Sequence, residues 1–184
     1  MLRITKPTTL DLATVSKFLR FFFVTAFLLF GGNAFAAPGV YQKPSEFVKS
    51  SLGQIPATKA ITLTTAQQTQ VRAMLGKNYK SKSIRYWSAN GKTAYILEEI
   101  GKTEDITTGI VVKGGRIDTV KVLIYRETHG SEVARDSFTR QLRGASLKSN
   151  SQLSKTPKNI AGATLSVRAL TKLARLALYL ETLK

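Results

Sequence analysis

The stretch Ile84-Arg85-Tyr86-Trp87-Ser88-Ala89-Asn90-Gly91-Lys92-Thr93-Ala94-Tyr95-Ile96-Leu97 decides the fold class. Two runs rich in β-branched and aromatic residues flank Asn90-Gly91, and Asn-Gly is the dipeptide that best accepts the positive φ angles of a tight hairpin turn. A second pair follows, Ile106 to Lys113 and Arg116 to Tyr125 around Gly114-Gly115, with Ile117, Val120, Val122 and Ile124 in the returning run. At least four antiparallel strands are expected.

Outward from the hairpins the apolar period lengthens to that of a helix. Thr64-Thr65 is a capping pair, Val71, Met74 and Leu75 recur at helical spacing and Gly76 is a stop, which predicts a helix from about Ala66 to Leu75. Val133, Phe138 and Leu142 before Gly144 predict a second over Asp136 to Arg143, and the polar stretch from Ser146 to Lys158 reads as an exposed loop. The last element, Leu165 to Leu180, carries Val167, Leu170, Leu173, Ala174, Ala177 and Leu178 as one stripe, with Arg168, Lys172 and Arg175 on another face. The chain is therefore expected to be α+β, an antiparallel sheet of about four or more strands packed with helices, including a C-terminal amphipathic helix. Residues 37–60, with Pro38, Pro44, Gly53 and Pro56 around Phe47, Val48 and Leu52, read as a loosely ordered lead-in with one helical turn pair.

The N-terminus has a different character. Lys6, Lys17 and Arg20 precede an apolar run from Phe21 to Phe30, interrupted by Thr25 and followed by the small-residue site Ala34-Phe35-Ala36 before Ala37-Pro38. A basic stretch, a short apolar region and an A-x-A site predict a secretory signal peptide over residues 1–36, cleaved after Ala36, and hence a periplasmic protein. An uncleaved anchor or a buried helix is the alternative reading of the same run.

The chain contains no cysteine and one histidine, His129, which removes thiol catalysis, disulfides, iron–sulfur clusters and the common zinc sites. Redox chemistry would have to come from an organic cofactor. No nucleophile and base pair of a hydrolase stands out. Beyond residue 36 there are 24 Lys and Arg against 10 Asp and Glu, a surplus that attracts anionic lipid headgroups, nucleic acid or an acidic protein. Export argues against nucleic acid.

The candidate site is Ala161-Gly162-Ala163-Thr164-Leu165-Ser166, where small residues lead into the last helix. Small side chains let a ligand approach the backbone, and a helix N-terminus offers unpaired N–H groups and a positive dipole end to a phosphate. Arg168 follows Thr164 by four residues and shares its helix face, where a guanidinium suits a phosphate. The plainer reading is that Thr164 caps the helix and Arg168 is a solvated charge. Trp87, Tyr86 and Tyr95 are of the type that stacks on planar ligands, although strand aromatics are more often core.

The stretch Ile160 to Leu170 resembles the S-G-A-T-x-S signature of the FMN-binding domain family, which includes the C and G type subunits of sodium-pumping NADH:quinone reductase and of Rnf electron-transport complexes. Val122 to Gly130 resembles the family's strand ending in E-T-x-G, Phe138 to Gly144 its F-x-x-Q-F-x-G helix, and Thr107 to Val112 another of its strands. The resemblance spans roughly residues 80–180 and makes residues 61–184 the FMN-binding domain. It implies FMN as cofactor, joined through a phosphoester to Thr164 by a separate flavin transferase. It also implies a flavin site that includes Gly162, Ala163, Leu165, Ser166 and Arg168 on one side and Glu127, Thr128 and Gly130 on the other. No residue is assigned a catalytic or metal-binding role.

The sequence departs from the family at two positions. Lys158 stands where an aspartate is usual, six residues before the acceptor threonine, and Ala161 stands where a serine or threonine is usual, three before it. The role implied is electron carriage at the cell envelope, more than substrate transformation, with the transferase and a membrane-bound reductase or other redox partner as proteins it meets and an anionic membrane surface as a further contact. The competing reading is a cationic exported module that attaches to anionic envelope surfaces or partners without bound flavin.

Overall fold

The computed structural model describes residues 39–184, so the signal peptide expected over residues 1–36 lies outside the described residues. Six strands form one antiparallel sheet in the order β1-β6-β5-β4-β3-β2: β1 (Gly39–Val40), β2 (Lys59–Thr62), β3 (Ser83–Ala89), β4 (Lys92–Ile100), β5 (Asp105–Lys113) and β6 (Arg116–Tyr125). The helices are α1 (Pro44–Leu52), α2 (Thr65–Leu75), the single turn α3 (Asp136–Thr139) and α4 (Thr164–Glu181).

Both expected hairpins form. Asn90 and Gly91 turn with φ of 53° and 69°, and Gly114 and Gly115 with 56° and 69°, the positive angles that a two-residue turn requires. The long partners β4 and β5 run in unbroken register from Lys92↔Lys113 to Ile100↔Asp105. Between β5 and β6 the register shifts at Thr107/Thr108 and at Val111/Val112, which adds twist to the strand leading to the site.

Strand alternation divides the core in two. Tyr95, Leu97, Ile110, Val112, Ile117 and Val122 face α2 and α4 and pack with Val71, Leu75, Leu170, Leu173 and Ala177. On the other face Ala94, Val111 and Leu123 meet Phe47, Val48 and Leu52 of α1. Helix α2 begins as its sequence requires, with Thr64 and Gln67 in a reciprocal capping box, and ends at Gly76 in the left-handed conformation.

Residues 39–60 contain the helical turns expected there and are packed on the sheet. Within them β1 pairs with the end of β6 and α1 buries Phe47, Val48 and Leu52, its start eased by Pro44 in the first turn and its end set by Gly53 at φ 79°. The Phe47 ring lies directly on Gly109 of β5, where any Cβ would come within 2.5–2.7 Å of it. Pro44 and Gly53 are therefore the boundaries of a docked helix. The helix expected over Asp136 to Arg143 is also broken, a single α-turn followed by a 3₁₀ turn at Arg140–Leu142, though Phe138 and Leu142 are buried as the spacing required.

Two carboxylates tie α4 to the sheet. Buried Glu99 on β4 lies 3.4 Å from Lys77 Nζ and 3.5 Å from Lys172 Nζ. At the other end of the helix, buried Tyr95 donates its hydroxyl proton to Glu181 at 3.0 Å. Among the described residues no helix is long and apolar enough to cross a membrane.

Candidate functional site

A cavity of about 640 Å³ opens where three chain segments meet: the β4–β5 turn with Lys102 and Thr103, the turn after β6 with Glu127, Thr128 and His129, and the start of α4 with Gly162, Ala163, Thr164, Leu165 and Ser166. Its size is that of a pocket for a small organic ligand.

The first wall is held by Glu127. This residue is 4% exposed, and one carboxylate oxygen accepts the backbone N–H groups of Lys102, of Thr103 at 2.7 Å and of Glu104 at 3.0 Å, while the other accepts the Thr103 hydroxyl at 3.0 Å. Burial pushes its acidity toward the neutral form, but these donated hydrogen bonds outweigh burial and hold the carboxyl below its ordinary range. Glu127 is thus charged and fully engaged, a fastener for the β4–β5 turn. Gly101 makes the approach possible, because a Cβ there would lie 2.8 Å from the carboxylate.

The second wall is joined to the third by Tyr125, which is wholly buried. Its hydroxyl donates to the His129 carbonyl at 2.5 Å and shares a 3.0 Å hydrogen bond with Ser166 Oγ. Gly130 sits under this junction at φ 84°, and a Cβ would come to 3.0 Å from both Ser166 Oγ and the Tyr125 hydroxyl and 3.3 Å from Ala163 Cα. Both the backbone angle and the space exclude a side chain. Thr128 is exposed and its hydroxyl pairs with His129 Nδ1 at 2.8 Å.

The third wall is a helix start with nothing capping it. Ala163 precedes the helix without a side-chain cap, its own N–H bonds the Ile160 carbonyl at 3.0 Å, and the first backbone bond into the helix runs from Val167 N–H to Ala163. The N–H groups of Thr164, Leu165 and Ser166 have no backbone acceptor, so the dipole's positive end opens beside the cavity. Thr164 does not cap: it is the first helical residue, half-buried, and its Oγ1 accepts a 2.9 Å hydrogen bond from Asn159 Nδ2. That bond leaves the hydroxyl's own proton free to be donated or lost.

The structure thus brings Glu127, Thr128, Gly162, Ala163, Thr164, Leu165 and Ser166 to one cavity. Gly130 stands behind the wall rather than in it, and Ser166 spends its hydroxyl on Tyr125. Arg168 does not line the cavity; it is exposed on α4, since one helical turn carries it past the mouth. Trp87, Tyr86 and Tyr95 do not line it either: Tyr86 and Tyr95 pair within the helix-side core with ring centroids 6.1 Å apart, and the Trp87 indole donates to Thr58. The apolar platform is Leu165, which is 43% exposed.

Three residues were not anticipated. Among the described residues Lys102 is the only lysine or arginine in the lining, Thr103 binds Glu127, and Asn159 holds the Thr164 hydroxyl. Their roles depend on contacts across more than twenty positions or on the exact turn before the helix, and no local pattern signals either. Asn159 adjoins Lys158, whose own backbone N–H bonds the Gln141 side chain at 2.8 Å.

Residues 101–179 match the model of the FMN-binding domain family. The chain carries an FMN-binding domain. The matched span begins at Gly101 and takes in all three cavity walls, while β1 to β4 and helices α1 and α2 lie before it. Comparison with curated proteins gave no match, and comparison with solved structures gave none.

The cavity suits the cofactor of this FMN-binding domain. Were FMN held here, the uncapped helix start would suit its phosphate, Leu165 would offer an apolar surface to its ring system, and Lys102 would supply positive charge. FMN, when bound, supplies one-electron and two-electron redox chemistry that no side chain here provides. The chain's contribution is to hold and orient the cofactor.

Proposed function

We propose that this protein is an exported electron carrier of the cell envelope whose FMN is joined to Thr164 through a phosphoester. The observation that carries the reading is the position of the Thr164 hydroxyl: first residue of an uncapped helix, in the wall of the cavity, and oriented by Asn159.

In the attachment step Thr164 Oγ1 bonds to phosphorus and loses its proton, and a phosphoanhydride bond of a flavin dinucleotide donor breaks, with the nucleoside monophosphate leaving. A separate transferase supplies donor and catalysis. An activated donor is needed because direct condensation with free FMN would have to expel water. Three free N–H groups beside the threonine receive the phosphate's negative charge.

A covalent bond suits export. A dissociating cofactor is lost by dilution where no flavin pool exists, whereas a bonded one stays at unit occupancy. The A-x-A site at Ala34-Phe35-Ala36 and the basic and apolar segments before it support the export step. Electrons would enter from a membrane-bound reductase and leave to an acceptor.

The test is the intact mass and visible spectrum of protein purified from the exported fraction of a host that contains a flavin transferase. A yellow protein heavier by one FMN, with cleavage after Ala36, and colourless unmodified Thr164→Ala are the expected results. Flavin that is wholly released on denaturation would replace the phosphoester by noncovalent binding. Colourless, unmodified wild-type protein would sink the carrier reading and leave the cationic binding module.

A further inference from the structure

Between Val133 and Leu180 the chain has nine Lys and Arg and a single carboxylate, Asp136. Four of these cations gather near Arg116. Lys155 Nζ donates to the Arg143 carbonyl at 3.0 Å, Arg116 donates to the Gly144 carbonyl at 3.2 Å, and the Lys158 N–H bonds Gln141 at 2.8 Å, next to Arg140. Arg116, Arg140, Arg143, Lys155 and Lys158 are all exposed, and none takes part in an ion pair among the described residues.

This patch runs directly into the flavin site. Lys158 is followed by Asn159, whose amide holds Thr164, and exposed Arg168 lies one turn along α4 from the same threonine. We infer that the patch is the docking surface for an acidic protein, a redox partner whose carboxylates are drawn to the mouth of the cavity. The inference rests on the flavin reading only for what is exchanged there.

Charge alone also attracts lipid headgroups, but the patch lacks what a membrane-lying surface needs. Interfacial attachment combines cations with apolar side chains that enter the acyl boundary. Among the described residues the large exposed apolar side chains are Val40, Ile55, Ile100 and Leu165; the segments that carry the patch cations have none, and Leu165 belongs to the cavity wall. Unpaired cations around a cofactor opening instead fit an encounter complex steered by long-range attraction and loosened by salt.

The test uses flavin-loaded protein, reduced and mixed with a trianionic acceptor, ferricyanide, or a tricationic one, hexaamminecobalt, across a range of ionic strength. Ferricyanide should reoxidise the flavin faster at low salt and lose roughly tenfold as salt rises, with the opposite trend for hexaamminecobalt. The variant Arg140→Glu, Arg143→Glu, Lys155→Glu, Lys158→Glu should weaken both trends strongly, and the corresponding four Gln substitutions should weaken them about half as much, which separates charge from any loss of folding.

Binding to polyglutamate and to phosphatidylglycerol vesicles identifies the occupant. Polyglutamate binding that the Gln variant loses, with weak vesicle binding, is expected. Unchanged salt trends in flavin-loaded variants would overturn the inference, as would vesicle binding equal to or tighter than polyglutamate binding. Wild-type protein that acquires no flavin is a failure of the carrier reading and is recognised before any kinetics are run.

Discussion

Tyr125 at the end of β6 and Ser166 in the first turn of α4, forty-one positions apart, share a buried 3.0 Å hydrogen bond, and the same tyrosine donates to the His129 carbonyl. This pair fixes the distance between two walls of the cavity. Tyr125→Phe should cost about 1–2 kcal/mol, read from urea unfolding, because the His129 carbonyl loses its donor and the Ser166 hydroxyl loses its acceptor. It should also raise the dissociation rate of any flavin not covalently held.

Gly130 beneath the pair admits no Cβ. Gly130→Ala should destabilise the protein by about 1–3 kcal/mol, from a left-handed φ and contacts with Ser166, Tyr125 and Ala163, and should reduce flavin content more than Gly162→Ala does. Gly162, at φ 80°, has open space around it and carries only the backbone strain. Parallel melting curves and the flavin-to-protein absorbance ratio measure both.

Glu127 is expected to show its role through pH. Its folded carboxyl is held below the ordinary range, so its stabilisation is present at neutral pH and is lost as pH falls through the folded value. Glu127→Gln should lower stability by about 2–3 kcal/mol at neutral pH, since an amide N–H₂ faces N–H donors. The gap between wild type and variant should close below about pH 4, which urea titrations at several pH values will show.

Lys102 is the cation of the cavity. Lys102→Gln should leave the melting temperature unchanged, its side chain being exposed, and lower the flavin midpoint potential by about 30–60 mV, in the range where one electron's equilibrium shifts up to tenfold per 59 mV. Spectroelectrochemical titration makes the comparison, and an unchanged potential would place Lys102 outside the flavin's field.

Helix α1 is expected to be part of the stable core. Phe47→Ala removes the ring lying on Gly109 and should cost about 3–5 kcal/mol, whereas an unstructured lead-in would lose almost nothing. Chemical denaturation of the variant against wild type decides between them.

Much of the architecture was legible because its signals are local. Asn90-Gly91 and Gly114-Gly115 mark their turns by backbone angles few other residues accept, and the stripe from Val167 to Leu178 marks its helix by period. Helix α1 was read too weakly because one turn pair of apolar residues acquires meaning only from the glycine it covers, in a strand more than fifty positions away. In the site, the small residues before Thr164 and the Glu127-Thr128 pair follow from motif, whereas Arg168 follows from helical spacing and from its place in the resembling stretch, neither of which fixes a distance to the cavity. Lys102 and Asn159 carry no motif, and only the folded turns bring them in.

The order of the sheet has one more implication. Among the described residues the edge strand β2 has four residues and bears exposed Lys59. A short, charged edge offers little ladder for an added strand, so a second copy finds little template for association along it. The protein can crowd at a surface without polymerising through that edge.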